Sequence, residues 1–580
     1  MLVTADKSSA IALWCPPLHG RALPLASGQL ADSVLPLATV NDTELEQAGN
    51  IVQQWPAWRV SRFNQYRDAS GDVDCSAAIN TDYVLVIWQQ EISHQAKVEL
   101  ITQANQYAEQ ISSNILLVDE ADGALVDNQE IERYRTAVSQ PIISLTKPVH
   151  HAVLLKNAAA VFTLSSWLGF EALLWQRPVY ALQSSFYQHL GQNCAGVTTT
   201  SLLRLVYQVF YQHLNWVNPD NGESWQPEHA LSWLALQRKN RQAFASTLYA
   251  IGFRRYWRRT VELFFQGSHI TFVPSAAQVP AGGTAIIWGN RPLSVPDTVR
   301  LIRLEDGFLR SVGLGALFVR PLSWVADSRG MYFDARQSSD LEYCLNQQAF
   351  SSQMLRRAEQ LITALKQSGV SKYNTGVAAW QRPQQASQCI LVAGQVETDA
   401  SIAYGAVSIR QNIELLKAVR LANPDAYIIY KPHPDVVAGA RKAGQQENTA
   451  LQFCDEQVLH TDINTLLQQV DEVHVLTSLA GFEALVRGKK VVCYGLPFYA
   501  GWGLTHDIHS CPRRQRQLTL AQLVAGALLS YPLYISRHSG YYHSAEQTLA
   551  DLMLWRQQAK KPHWLKHILI SGIRKIVGIK

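Results

Sequence analysis

The eight cysteines, scattered from Cys15 to Cys511, form no Cys-x-x-Cys pair and no cluster with histidine at metal-ligand spacing. That argues against a zinc site or a disulfide framework and reads as reduced thiols in a cytosolic protein. No run of apolar residues reaches the length of a membrane span, and the N-terminus lacks a basic segment followed by an apolar one, so neither a spanning helix nor a secretory leader is expected. Charge is sparse: 17% of residues are charged and the net charge is +5, too small to imply a nucleic-acid partner. What the chain does have is 47% hydrophobic content over 580 residues, enough for about three or four domain-sized units. Its 16 tryptophans and 22 tyrosines suit sugar and base pockets, and equally suit ordinary cores.

From residue 82 onward, short apolar runs alternate with segments of helical spacing, which predicts parallel βαβ units and an α/β fold. Strands are expected at Ala10–Trp14, Tyr83–Ile87, Asn114–Val118, Ala160–Leu164 and Pro178–Leu182, with helices at Asp42–Gln54, Ala96–Ile111 and Leu168–Trp175. Residues 200–265 read as helical, and Arg254, Arg255, Arg258 and Arg259 within them as a solvated face, with phosphate contact as the other reading. Pro274–Gly283 reads as a linker. Strands follow at Ala285–Trp288 and Val299–Leu304, then a helix over Asp340–Lys366 and a linker over Tyr373–Gln388. The last region reads as strands at Ile390–Ala393, Tyr427–Tyr430, Glu472–Leu476 and Lys490–Tyr494, with helices at Ser408–Leu421 and Ile463–Gln469.

The chain repeats itself at an offset of 312. Val161-Phe-Thr-Leu-Ser-Ser-Trp-Leu-Gly-Phe-Glu-Ala-Leu parallels Val473-His-Val-Leu-Thr-Ser-Leu-Ala-Gly-Phe-Glu-Ala-Leu, and Phe186-Tyr187 parallels Phe498-Tyr499. So long a shift indicates a duplicated half-domain and not a solenoid. The copies differ where chemistry would sit: Lys431, Pro432 and His433 correspond to Asp119, Glu120 and Ala121, so an anionic ligand would be repelled from the first copy.

Four segments carry polar groups at the ends of apolar runs, where α/β sheets bind ligands. Tyr427-Ile-Ile-Tyr-Lys-Pro-His-Pro434 delivers Lys431 and His433 to a strand end, which suits a phosphate-bearing ligand; ordinary polar strand-end residues are the alternative. Thr477 and Ser478 precede a helix near Ala480, where hydroxyls cap and phosphates bind. Gly394-Gln-Val-Glu-Thr-Asp-Ala-Ser401 crowds Gln395, Glu397, Asp399 and Ser401 after a strand, or is a plain loop capped by Asp399. Leu304-Glu-Asp-Gly-Phe-Leu-Arg-Ser311 ends a strand in two carboxylates, of which strand alternation would point only one at a cleft. Covalent catalysis with retention at a sugar carbon needs a carboxylate nucleophile, and Arg310 could grip a substrate carboxylate. Alternatively Asp306 caps a helix and Arg310 pairs with it.

Taken with Pro321-Leu-Ser-Trp, Ser371-Lys-Tyr-Asn374 and Tyr494-Gly-Leu-Pro-Phe-Tyr-Ala-Gly-Trp-Gly503, these motifs run in order from about residue 284 to 555. They resemble KpsC-type capsule polysaccharide β-Kdo transferases, most nearly the C-terminal of that family's two catalytic modules. The resemblance implies two Rossmann-like lobes in a GT-B-like arrangement and a retaining transfer of Kdo from CMP-Kdo to a lipid-linked Kdo primer. It implies CMP phosphate contacts from Lys431, His433 and Ser478, with Thr477 and Gln395 nearby. Asp306 would be the nucleophile, Glu305 and Asp399 candidates for acid/base work, and Arg310 the holder of the Kdo carboxylate. No metal or other cofactor is expected, because CMP leaves with a single phosphate. Residues 1–240 lack the Glu-Asp-Gly-Phe and Lys-Pro-His-Pro segments, so the family's second activity is not expected in this chain.

The expected organisation is a degenerate, non-catalytic half-module over 1–245, an acceptor-side lobe over 246–380, a CMP-sugar lobe over 381–555 and a basic amphipathic tail over 556–580. The tail carries seven Lys or Arg and no acid, with apolar residues at helical spacing, which predicts a peripheral hold on an anionic inner-membrane surface. A final helix docked on the domain is the competing reading. A non-catalytic scaffold of capsule assembly is the rival function, and a nucleotide-sugar epimerase a third.

Overall fold

The first strand of regular α/β structure, Tyr83–Trp88, is buried at every position, as a strand covered by helices on both faces must be. It is the centre of a five-stranded parallel sheet ordered Ile142–Ile143, Asn114–Asp119, Tyr83–Trp88, Ala158–Thr163, Val179–Ala181. The structure is a computed structural model. It describes residues 10–14, 18, 24–29, 37–62, 64, 66–68, 81–89, 93–120, 126–145, 147–183, 185–187, 190, 199–313, 319–372 and 379–559. The chain divides into two compact units, Met1–Phe244 and Ala245–Lys580. The five-stranded sheet belongs to the first, together with a small antiparallel sheet of Ala10–Trp14, Pro24–Gln29 and Asn215–Trp216.

The second unit holds two sheets, each the floor of a Rossmann-like lobe. One is ordered His269–Val273, Thr247–Ile251, Thr284–Trp288, Arg300–Asp306, Ser323–Asp327, Pro532–Ile535, Tyr542–His543; its first four strands run parallel and the rest antiparallel. The other is parallel throughout: Glu456–Gln457, Tyr427–Lys431, Cys389–Ala393, Glu472–Val475, Lys490–Cys493, His506–Asp507. One apolar core runs between them, joining Phe308, Leu309 and Leu322 of the first lobe to Leu391, Val473 and Phe498 of the second. Within it the Phe308 and Phe498 rings lie 4.7 Å apart.

The duplication is visible in three dimensions. The five strands of the first unit appear in the same order as the first five strands of the second unit's six-stranded sheet. In each copy a tyrosine hydroxyl donates to the carbonyl of the serine that opens the following helix: Tyr187 to Ser166 at 2.9 Å, and Tyr499 to Ser478. A Cβ on Gly169 or Gly481 would meet that hydroxyl at 2.4 or 2.2 Å, so only glycine lets the helix seat there.

Several sequence expectations change. The region expected to be helical over 200–265 contains the strand Thr247–Ile251, and a further strand, His269–Val273, precedes the expected linker at 274–283; both run parallel in the first lobe. Helix Asp340–Lys366 is two helices, Asp340–Gln347 and Ser352–Ser368, because Ser351 turns extended and caps the second one. The span 381–555 is not one lobe: from Pro532 the chain returns to the first sheet. Most of the tail expected over 556–580 lies outside the described residues. Arg556, inside helix Ala545–Ala559, donates to the Ser368 and Gly369 carbonyls.

Candidate active site

The C-terminal ends of both sheets open on a cleft of about 360 Å³ between the two lobes of the second unit. Eight of the nine residues singled out from sequence line it: Glu305, Asp306, Gln395, Asp399, Lys431, His433, Thr477 and Ser478. Both residues of the Glu-Asp pair belong to its lining. The pair ends its strand, and the next residue leaves the pleat. Gly307 packs against Ser323 so closely that a Cβ would meet the Ser323 Oγ at 2.5 Å.

Arg310 is the ninth residue, and it does not line the cleft. The turn at Gly307 folds the chain back so that Arg310, 3% exposed, donates from Nε to Asp306 Oδ2 at 2.6 Å and from Nη1 to Ser311 Oγ at 2.8 Å. This is the pairing named as its alternative. It fixes one carboxylate oxygen of Asp306 and leaves the other, Oδ1, buried with no hydrogen-bond partner among the described residues. Beside it, burial and then the Asp306 charge push the Glu305 carboxyl up to about 7. One carboxylate oriented by an arginine and a neighbour poised to hold a proton near neutrality make a pair able to divide nucleophilic and acid/base roles.

The opposite wall is built from strand ends and helix starts of the parallel sheet. Lys431 is buried and donates from Nζ to the Thr461 carbonyl at 2.7 Å; burial pulls its ammonium below the ordinary value, while Asp462 opposes that. His433 accepts the Asp435 N–H on Nδ1 at 3.2 Å, so the neutral ring carries its hydrogen on Nε2. Burial holds its imidazole below the ordinary value, against the pull of Asp435 and Asp399. Ser478 caps helix Leu479–Val486 by accepting the Ala480 N–H at 3.3 Å. The positive end of that helix faces the cleft.

Gln395 is a clasp. Its Oε1 accepts the Thr477 N–H at 2.8 Å, its Nε2 donates to Thr477 Oγ1 at 3.1 Å, and Asn412 brackets its backbone on both sides. It ties two strand ends together and sets the Thr477–Ser478 turn. Asp399 caps the short helix Ala400–Gly405, the plain-loop reading, while also lining the cleft.

Ser371, Lys372 and Glu483 are among the lining residues given no role from sequence. Glu483 accepts the Lys372 N–H at 2.8 Å and so pins the Ser371–Lys372 segment to the cleft. Burial raises its carboxyl above the ordinary value. The duplicated unit preserves this contact, with Glu171 accepting the Arg62 N–H at 2.7 Å in a Ser61-Arg-Phe-Asn64 segment that parallels Ser371-Lys-Tyr-Asn374. The repeated Gly-Phe-Glu-Ala-Leu and the paired tetrapeptides were the available signal.

In that first unit, Glu120 replaces the position of Pro432, and its Oε1 accepts the N–H of Trp167, the first residue of helix Trp167–Leu174. Gln89 holds the other oxygen at 2.7 Å. A carboxylate of the chain itself sits where the second copy presents a helix end to the cleft.

Comparison with known proteins covers parts of both units. Residues 59–201 and 294–540, more than half of it, match the model of the family described as capsule polysaccharide biosynthesis protein. The chain is 39% identical over 441 residues to the capsule polysaccharide modification protein LipA of Neisseria meningitidis serogroup B (strain ATCC BAA-335 / MC58), an alignment covering 72% of this chain and 62% of LipA. It is 38% identical over 279 residues to the lipopolysaccharide-processing protein LpsZ of Rhizobium meliloti, covering 46% of this chain and 63% of LpsZ. The chain thus spans less than two thirds of the curated relatives it matches. Among solved structures, Thermosulfurimonas dismutans KpsC, β-Kdo 2,7 transferase, is similar at 39% identity and a TM-score of 0.46, over 53% of this chain and 99% of that one. On the family match, this chain belongs to the capsule polysaccharide biosynthesis protein family.

Proposed function

We propose that the second unit is a retaining β-Kdo glycosyltransferase that moves Kdo from CMP-Kdo to a lipid-linked Kdo primer. The observation that carries this reading is the state of Asp306, a residue of the cleft lining: one carboxylate oxygen is held by Arg310, and the other is buried with no hydrogen-bond partner among the described residues. A carboxylate so held is ready to bond to the anomeric carbon as CMP departs. The second displacement, by an acceptor hydroxyl from the face that CMP vacated and opposite Asp306, releases the carboxylate and restores the original configuration.

Across the cleft, the CMP phosphate lies against the Leu479 helix end, with His433 donating from Nε2 and Lys431 supplying charge. The leaving group carries one phosphate, so these groups suffice without a metal ion. Glu305, with its carboxyl near 7, takes the acceptor proton. Arg310 is committed to Asp306, so the donor's sugar carboxylate falls to another cation of the cleft lining, Lys372 or Arg441. The first unit contributes no second active site, since Glu120 occupies its helix end. Among the described residues no helix is long and apolar enough to cross a membrane. In this reading the enzyme works on its lipid-linked acceptor from the cytoplasmic face of the inner membrane, as a peripheral protein.

The test is to incubate the purified chain with CMP-Kdo and a soluble Kdo-primed acceptor, following product by mass spectrometry and its anomeric configuration by NMR. A β-linked Kdo product supports the reading. CMP binding with neither transfer nor donor hydrolysis would favour a scaffold role instead.

A further inference from the structure

Three adjacent parallel strands of the first lobe end in the same way, a glycine followed shortly by an arginine. Asp306-Gly-Phe-Leu-Arg310 turns its arginine inward onto Asp306. The other two, Ile251-Gly-Phe-Arg254 and Trp288-Gly-Asn-Arg291, each bend at a glycine with φ of +71° and send their arginines outward. The two bends lie together: a Cβ on Gly252 would be 3.8 Å from Arg291 Nη2. Arg254, Arg255 and Arg291 are exposed, and none has an ion-pair partner among the described residues. Beside them, the half-buried rings of Trp257 and Trp288 lie 6.1 Å apart and within 16° of parallel.

This cluster sits on the same sheet edge as the reactive carboxylates. Trp288 pairs in register with Leu304, two residues before Asp306. One strand spacing across and two residues along place its Cα about 8 Å from that of Asp306. Flat aromatic faces suit the apolar face of a sugar ring, and unpaired guanidinium forks suit carboxylates.

We infer that Arg254, Arg255, Arg291, Trp257 and Trp288 form an acceptor subsite for a carboxylate-bearing sugar, one residue removed from the sugar being extended. The inference rests on the transferase reading and adds to it a preference for acceptors with more than one acidic sugar.

The experiment compares two soluble acceptors in the full chain, one bearing a single Kdo and one bearing two. Arg254→Gln/Arg255→Gln/Arg291→Gln should raise KM for the two-sugar acceptor about tenfold more than for the one-sugar acceptor, with KM for CMP-Kdo unmoved. The matching lysine variant should recover part of the loss. Equal effects on both acceptors would overturn the inference. So would a loss that follows a phosphate on the acceptor in place of the second sugar. Ligand-observed NMR of the free two-sugar acceptor supplies a readout without turnover: binding lost in the triple glutamine variant supports the subsite, and binding unchanged refutes it. Failure of the transferase reading would show separately, as absent CMP-Kdo turnover in the parent protein.

Discussion

Glu305→Gln makes the protein's pH dependence a direct probe of its carboxylate pair. Burial and the Asp306 charge move the Glu305 carboxyl from its ordinary 4.5 to about 7. At about 1.4 kcal/mol per pH unit, that corresponds to at most about 3 kcal/mol held against ionisation in the folded state. The sign follows from the raised value. Below pH 4.5 the carboxyl is protonated whether folded or unfolded and contributes nothing. Between 4.5 and about 7 the unfolded chain has released this proton while the folded one retains it, so stability falls as pH rises, then levels off. Glutamine has no proton to lose. Glu305→Gln should therefore match the parent protein near pH 4.5 and exceed it by up to about 3 kcal/mol at pH 8. Urea midpoints of the second unit's transition, measured at half-unit steps between those limits, read the difference. The same variant should lose most of its transfer activity and, in what remains, the rise of the pH–rate profile through about 7. Parallel stability profiles for parent and variant would refute the account of Glu305 as a desolvated carboxyl beside a second charge.

Other outcomes follow from the same geometry. His433→Ala removes a charge-assisted contact worth roughly 1.5–3 kcal/mol, so calorimetry should show CMP affinity down about tenfold to a hundredfold; unchanged affinity would make His433 only a cap. Gly481→Ala drives a Cβ to within 2.2 Å of the buried Tyr499 hydroxyl and should destabilise by about 1–3 kcal/mol, with Tyr499→Phe restoring part of it; a neutral thermal midpoint contradicts that packing. Ser166→Ala, in the first unit, should leave transfer untouched, and a loss of activity there would give that unit a catalytic part.

Much of this site was legible in the sequence because it is built from strand ends. Lys431, His433, Thr477 and Ser478 each follow a short apolar run that stops sharply, and such positions fall at one edge of a parallel sheet. The Glu305–Asp306 pair was visible for the same reason. Arg310 was misdirected because nothing local reveals that Gly307 is pressed on Ser323, a contact made across the sheet, and that contact decides which way the arginine turns. The Lys372–Glu483 link spans 111 residues and leaves no local pattern. The return of Pro532–Ile535 to the first sheet is a matter of topology, which periodicity does not encode. The break between Gln347 and Ser352 was hidden because apolar spacing carries on through a capping serine.

The most direct measurement of the central claim is intact-protein and peptide mass spectrometry of the chain after brief exposure to CMP-Kdo without acceptor, alongside Asp306→Ala. The account predicts a covalent sugar adduct that maps to Asp306, disappears when acceptor is added, and is absent from the variant, which should still bind CMP. An adduct on another residue, or a β-linked product formed at near-normal rate by Asp306→Ala, would contradict it.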